Sequence, residues 1–198
     1  KAIEKAEKKT GHKLIYAPHL TGPAMKLNKR AEKLHKNGAQ ALLFSYLCYG
    51  LPLLESLRNN DELILPILGH PALAGAMYGG ISEALLFGLL PRLAGCDMVL
   101  SPSPYGNVSI SESAATEVAN KLAMPLGKLK PALPVPSAGI QSTMVPDLMK
   151  LYGNNCVINA GTGIFDHPFS SGGPKSASQE FLALIAAQEV KQKLAVTK

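Results

Sequence analysis

Two Gly-rich turns, Ser137-Ala138-Gly139 and Ala160-Gly161-Thr162-Gly163, each follow directly on a short apolar run, Leu133 to Pro136 and Cys156 to Asn159. A strand that stops at small residues leaves backbone N–H groups in a row with no side chain over them. Two adjacent strands that stop in this way can wrap the oxygens of one phosphate monoester. The candidate donors are the backbone amides of Gly139, Gly161, Thr162 and Gly163, with Ser137, Ala138 and Ala160 completing the turns. The Ser137 and Thr162 hydroxyls could add to them. The other reading of the same residues is an ordinary strand-to-helix connection, with glycine used for its access to positive φ.

Two histidines also end apolar runs. In Gly69-His70-Pro71 the proline directs the chain outward, which sets the imidazole at a strand end, where it could donate to a substrate oxygen or shuttle a proton. His19 closes Tyr16-Ala17-Pro18-His19 in a similar position. His70 and His19 are the candidate catalytic residues, and a hydrogen-bonded structural histidine is the alternative at each. His12 and His35 lie among lysines and read as solvated. His167, in Asp166-His167-Pro168, reads as shaping the loop beyond the second glycine turn.

These residues need elements to carry them. Apolar runs recur at Lys13 to His19, Ala41 to Leu47, Leu63 to Gly69, Asp97 to Ser101, Leu133 to Pro136 and Cys156 to Asn159, which makes six candidate strands. After a leading helical segment, Ala2 to Lys9, helical spacing appears between them: Leu27, Ala31 and Leu34 before Gly38, then Leu51 to Leu57, Ser82 to Leu93, Ser113 to Leu122 and Met144 to Leu151. Strand and helix alternate, which predicts an α/β fold of βα units, because a parallel neighbour is reached only by a crossover of a dozen or more residues. An open doubly wound sheet and a closed barrel both fit that alternation. The special residues all follow their strands, and a mouth built from many strand ends favours a partial TIM (β/α)8 barrel. Such barrels usually take about 250 residues. With six strands and a helix at the start, about two βα units are expected to be missing from the N-terminal side, which would leave two open sheet edges.

Composition agrees with one globular unit. The chain has 198 residues, 46% hydrophobic and 17% charged, enough apolar material for a substantial core. Its formal charge of +6 is concentrated in Lys1 to Lys13 and Lys26 to Lys36, where lysines alternate with glutamates on what read as solvated helix faces. Aromatic residues do not interleave with them, which argues against nucleic acid as a partner. Cys48, Cys96 and Cys156 are odd in number, widely spaced and set in apolar segments, and are expected to be buried reduced thiols of a cytoplasmic protein. No apolar run reaches membrane-spanning length and the charged start has no signal-type stretch, which argues against a membrane partner and against secretion.

The ordered motifs Tyr16-Ala17-Pro18-His19-Leu20-Thr21-Gly22, Gly69-His70-Pro71-Ala72, Ser101-Pro102-Ser103-Pro104-Tyr105-Gly106, Pro136-Ser137-Ala138-Gly139-Ile140 and Asn159-Ala160-Gly161-Thr162-Gly163 resemble those of RuBisCO-like proteins. The likeness runs from about Thr10 to Glu189. Within the RuBisCO large-chain family it is most similar to the enolase branch of methionine salvage, which acts on 2,3-diketo-5-methylthiopentyl 1-phosphate. The resemblance implies that residues 1–198 correspond to barrel strands 3 to 8 of the family's C-terminal region, with its N-terminal α/β domain and first two strands absent. It also implies a Mg²⁺ held by a Lys-x-Asp-Glu segment with a carbamylated lysine, and a homodimer. Neither that segment nor the family's catalytic lysines occur here, so by resemblance this chain alone is expected to be inactive and to contribute no metal ligand.

Departures from the pattern separate the branches. In true RuBisCO an arginine after the strand-5 histidine grips the second phosphate of a bisphosphate, and a lysine in the loop after strand 6 polarises CO2. Here the corresponding positions read Pro71 and a lysine-free Ser103-Pro104-Tyr105-Gly106-Asn107. Enolisation of a monophosphate without carboxylation is therefore the implied activity. His19 stands where the family commonly has asparagine, and the Met77-Tyr78-Gly79-Gly80 turn is shorter than usual. Two alternatives stay open: a RuBisCO-like decarboxylase or isomerase of another keto sugar or keto acid monophosphate, and a noncatalytic barrel fragment whose open edges pair with a second chain or the missing half.

Overall fold

A computed structural model describes residues 1–196. Helix α1 (Ala2–Thr10) buries no residue and ends at Gly11 in the left-handed region. An extended stretch then leads to α2 (Leu27–Lys36), which places Leu27 and Ala31 in the core with Leu34 packed against it. Beyond it come β1 (Leu42–Phe44), α3 (Tyr46–Tyr49), α4 (Leu51–Arg58) and β2 (Ile67–Gly69). A π-helical stretch, Ala84–Leu89, runs into α5 (Leu90–Leu93) and then β3 (Met98–Pro102). The Tyr46 hydroxyl donates to Leu86 C=O within that stretch, at 2.9 Å. Helix α6 (Glu112–Ala123) is capped by Ser111, whose hydroxyl accepts from Ala114 N–H, and buries Ala115, Val118 and Leu122 at helical spacing. The chain closes with β4 (Leu133–Ser137), α7 (Val145–Tyr152), α8 (Gly161–Phe165) and α9 (Gly173–Val196).

The four strands form one parallel sheet in the order β1-β2-β3-β4, with Leu43 opposite Leu68 and Leu100 opposite Val135. Leu42, Phe44, Ile67 and Val99 pack with Leu27, Leu54, Leu57, Phe87, Val118 and Leu122 in one core cluster. A second cluster of Ile140, Val145, Leu148, Met149 and Phe181 joins α7 to α9. Between α6 and β4 the loop is held from inside by Arg92. This side chain is 1% exposed and donates to the carbonyls of Lys121, Met124, Leu129 and Lys130.

Six strands were expected and four form regular ladders. At one edge, residues 16–20 lie alongside β1 through Leu43 N–H to Pro18 C=O (3.0 Å) and Leu20 N–H to Leu43 C=O (2.8 Å), which amounts to a single bridge at His19. At the other edge, Val157 and Asn159 donate to the carbonyls of Pro134 and Pro136, both at 3.1 Å. The return bonds are missing because prolines 134 and 136 have no N–H to donate. A parallel ladder needs both directions, so the run at 156–159 follows β4 with half of one.

Two other expectations need correction. Ala41 to Leu47 is strand only over β1, because the chain turns at Ser45 into α3. Of the three cysteines, all free thiols, Cys96 is buried and Cys156 half-buried, but Cys48 is exposed, its thiol 3.6 Å from Ala72 C=O. Placement at the end of α3, on the rim of the sheet, keeps it out of the core. No described helix is long and apolar enough to cross a membrane.

Candidate active site

The C-terminal ends of β2, β3, β4 and the 156–159 run open onto one cavity of about 420 Å³. His70 and Pro71 line it on one side, Leu100 and Pro102 at the floor, and Ser137, Ala138 and Asn159 on the other side. The sequence thus brings the strand-2 histidine and the first glycine turn to a common space. Tyr78, from the short Met77–Gly80 turn, completes the wall.

His70 is fixed in both position and tautomer. Its backbone N–H donates to Phe44 C=O at 2.8 Å, which seats it at the end of β2. The imidazole Nδ1 lies 3.0 Å from Ala72 N–H and accepts from it, so the neutral ring carries its proton on Nε2. Partial burial, with the His19 ring as a second cause, lowers its pKa from the ordinary histidine value. His70 is therefore held as a neutral Nε2–H donor. His19 stacks on it with ring centroids 5.8 Å apart and planes at 29°, and its Nε2 is 2.9 Å from the Ser45 hydroxyl. His19 itself is exposed and belongs to the rim.

The two glycine turns differ in construction. Ala138 and Gly139 both have positive φ, 75° and 85°. The Ser137 hydroxyl donates to Ser101 C=O at 2.9 Å inside the sheet, which corrects the expectation that it adds a donor to the cradle. In the second turn no residue from Ala160 to Gly163 has positive φ. Gly161, Thr162 and Gly163 instead form the first turn of α8, where the first helical bond is Ile164 N–H to Ala160 C=O. Their three amides precede that bond and have no acceptor within the helix. A Cβ on Gly163 would lie 2.2 Å from Ile140 C=O, so glycine is required there by packing. A Cβ on Gly161 would meet no atom within 4 Å, so packing does not explain that glycine.

Gly139 and the residues of the second turn do not line the cavity, although each turn directly follows a residue that does, Ala138 and Asn159. His12 and His35 are exposed, and His167 Nε2 lies 3.3 Å from Ser171 C=O across its own loop. Sequence reading overlooked Asn159, which directly precedes the second glycine turn and could have been found from that position. It also overlooked Ser45, 26 residues from the histidine it touches, and no local signal announces that pair. Among the described residues no group of three or more His, Cys, Asp or Glu side chains could hold a metal ion, so these residues do not fit a metal site of their own.

Comparison with known proteins adds the context. The family model for the ribulose bisphosphate carboxylase large chain, catalytic domain, matches residues 1–198. The 2,3-diketo-5-methylthiopentyl-1-phosphate enolase of Bacillus pumilus is 40% identical over 200 residues, covering 98% of this chain and 49% of that protein. The enolase of the same name from Geobacillus thermodenitrificans is 40% identical over 190 residues, covering 94% and 45%. Among solved structures, a rubisco-like protein (MtnW) from Alicyclobacillus acidocaldarius superposes with a TM-score of 0.87 at 38% identity, covering 96% of this chain and 48% of that one. The chain spans about half the length of the relatives it matches.

Proposed function

The chain belongs to the ribulose bisphosphate carboxylase large-chain family, and from that premise we propose that the protein carrying it is the enolase of 2,3-diketo-5-methylthiopentyl 1-phosphate in methionine salvage. The observation that carries the reading is the cavity with a neutral His70 on one side and the Ser137–Ala138 turn and Asn159 on the other. Enolisation takes a proton from the carbon beside a ketone, and the negative charge that develops on oxygen needs a donor already in place. His70, with its proton on Nε2, offers one. The amides of Gly139, Gly161, Thr162 and Gly163 hold the substrate phosphate, and that grip fixes the reacting carbons relative to His70. His19 sets the electrostatics of His70 from the rim.

Residues 1–198 then represent strands 3 to 8 of a (β/α)8 barrel, and the protein works as a cytoplasmic homodimer. Mg²⁺, held by ligands outside these residues, would supply polarisation of the ketone when bound. Pro71 in place of a second cation limits the site to a monophosphate. These assignments follow the resemblance and the enolase names of the relatives.

The test uses the complete protein with Mg²⁺ and bicarbonate, given the diketo monophosphate in D2O and followed by proton NMR. Exchange at the carbon beside the carbonyl and appearance of the enol are expected. A substrate that neither exchanges nor enolises overturns the assignment.

A further inference from the structure

We propose that Gly106 and Asn107, in the loop after β3, are positioning residues that hold the Ala138–Gly139 turn in the shape that aims Gly139 N–H at a phosphate oxygen. The inference rests on the phosphate reading of that turn. Asn107 N–H donates to Ala138 C=O at 2.7 Å, across 31 positions of sequence. A trans peptide holds its C=O and N–H on opposite sides of one plane. Pinning the Ala138 carbonyl toward the β3 loop therefore points the Gly139 N–H away from that loop.

The pin has work to do because the turn is strained. Ala138 sits at φ 75°, in the left-handed region that a residue with a Cβ occupies only at a cost. Return of Ala138 to negative φ would relieve that strain and, because its C=O and the Gly139 N–H share one peptide plane, would carry that N–H out of place.

Two contacts show that the loop is shaped to this turn. A Cβ on Gly106 would lie 2.2 Å from Ala138 C=O and 3.1 Å from Ser137 C=O, so only glycine permits the approach. A Cβ on Gly139 would lie 2.5 Å from Asn107 Nδ2, so the carboxamide covers one side of that residue. The loop is anchored in turn by Tyr105, whose N–H donates to Ser103 Oγ at 3.2 Å and whose hydroxyl donates to Glu112 at 2.9 Å. In this chain the loop after β3 is a brace for the phosphate turn, and its sequence, Pro104-Tyr105-Gly106-Asn107, serves that purpose.

Inorganic phosphate is the probe, titrated into the full chain while the Gly139 and Gly161 amide resonances and the melting temperature are followed. In the parent protein both amides shift on phosphate addition. Gly106→Ala weakens phosphate binding by about tenfold or more in the folded protein, as loss of a hydrogen bond to a charged group does, and displaces the Gly139 resonance before phosphate is added. Asn107→Ala keeps the backbone donor, leaves the melting temperature near that of the parent and weakens binding by a smaller factor, about threefold. If the parent shows no shift at either amide, the phosphate reading fails and the brace with it. If the parent binds and Gly106→Ala binds equally well, the brace alone is overturned. Should Gly106→Ala fail to fold, Asn107→Ala decides, and unchanged phosphate affinity in that variant overturns the brace.

Discussion

Two glycines in one turn should respond in opposite ways to the same added methyl group. At Gly161 the missing Cβ faces open space and φ is not in the left-handed region, so alanine fits without strain. Replacing glycine there restricts the unfolded chain and stabilises the protein by about 0.4–1 kcal/mol. At Gly163 the same methyl would sit 2.2 Å from Ile140 C=O and 3.1 Å from the Phe181 ring, in the cluster that joins α7 and α9. Backbone must move to admit it, which costs about 1–3 kcal/mol. For a chain of this length each kcal/mol is about 2–4 °C in melting temperature. Thermal melts should therefore show Gly161→Ala up by about 1–4 °C and Gly163→Ala down by roughly 2–12 °C. Phosphate-ester titration should show the inverse for function: the more stable Gly161→Ala binds at least about tenfold more weakly, because its methyl fills space reserved for the ligand. A Gly161→Ala protein that melts lower than the parent would refute the packing argument. One that is more stable but binds a phosphate ester with parental affinity would refute the cradle.

Two further outcomes follow from side chains outside the turns. His70, with its pKa lowered by burial and by His19, should titrate below the ordinary value of about 6.5. The unfolded chain then binds the extra proton, so this contribution to stability is complete above about pH 6.5 and drains away as pH falls through the folded value. Ring-proton NMR should show the low midpoint, moving upward in His19→Asn, and a midpoint at or above 6.5 would contradict it. Arg92→Met leaves four carbonyls without their donor and should cost about 3 kcal/mol in urea unfolding; a loss below about 1 kcal/mol would show that the α6–β4 loop stands without it.

Most of the strand–helix order was legible because each βα unit announces itself locally. Leu27, Ala31 and Leu34 mark one helix face, Ala115, Val118 and Leu122 another, and the apolar runs between them end at or shortly before a glycine, proline or histidine. What escaped depends on partners distant in sequence. The weak pairing of residues 156–159 is caused by prolines in the neighbouring strand, and nothing within the run itself reports it. Helix α9 was overlooked because its apolar residues spread around the axis: Phe181 is buried while Leu182 and Val190 are exposed. At the site, His70 was legible from its proline neighbour. The His19–Ser45 contact and the Asn107–Ala138 bond were not, since each joins residues more than two dozen apart.

Prolines 134 and 136 also divide the molecule by cooperativity. With no N–H to return, β4 attaches the run at 156–159 by one-way bonds, and α8 and α9 beyond it pack on a core cluster separate from that of the sheet. A segment held by fewer backbone bonds and its own small core opens at a lower free energy than the rest. Residues 156–196 are thus expected to open before the β1 to β4 sheet does, and Gly161, Thr162 and Gly163 travel with them. Half of the proposed phosphate grip lies on that less firmly held segment, so a ligand spanning both turns would bind and fasten the fold in the same act.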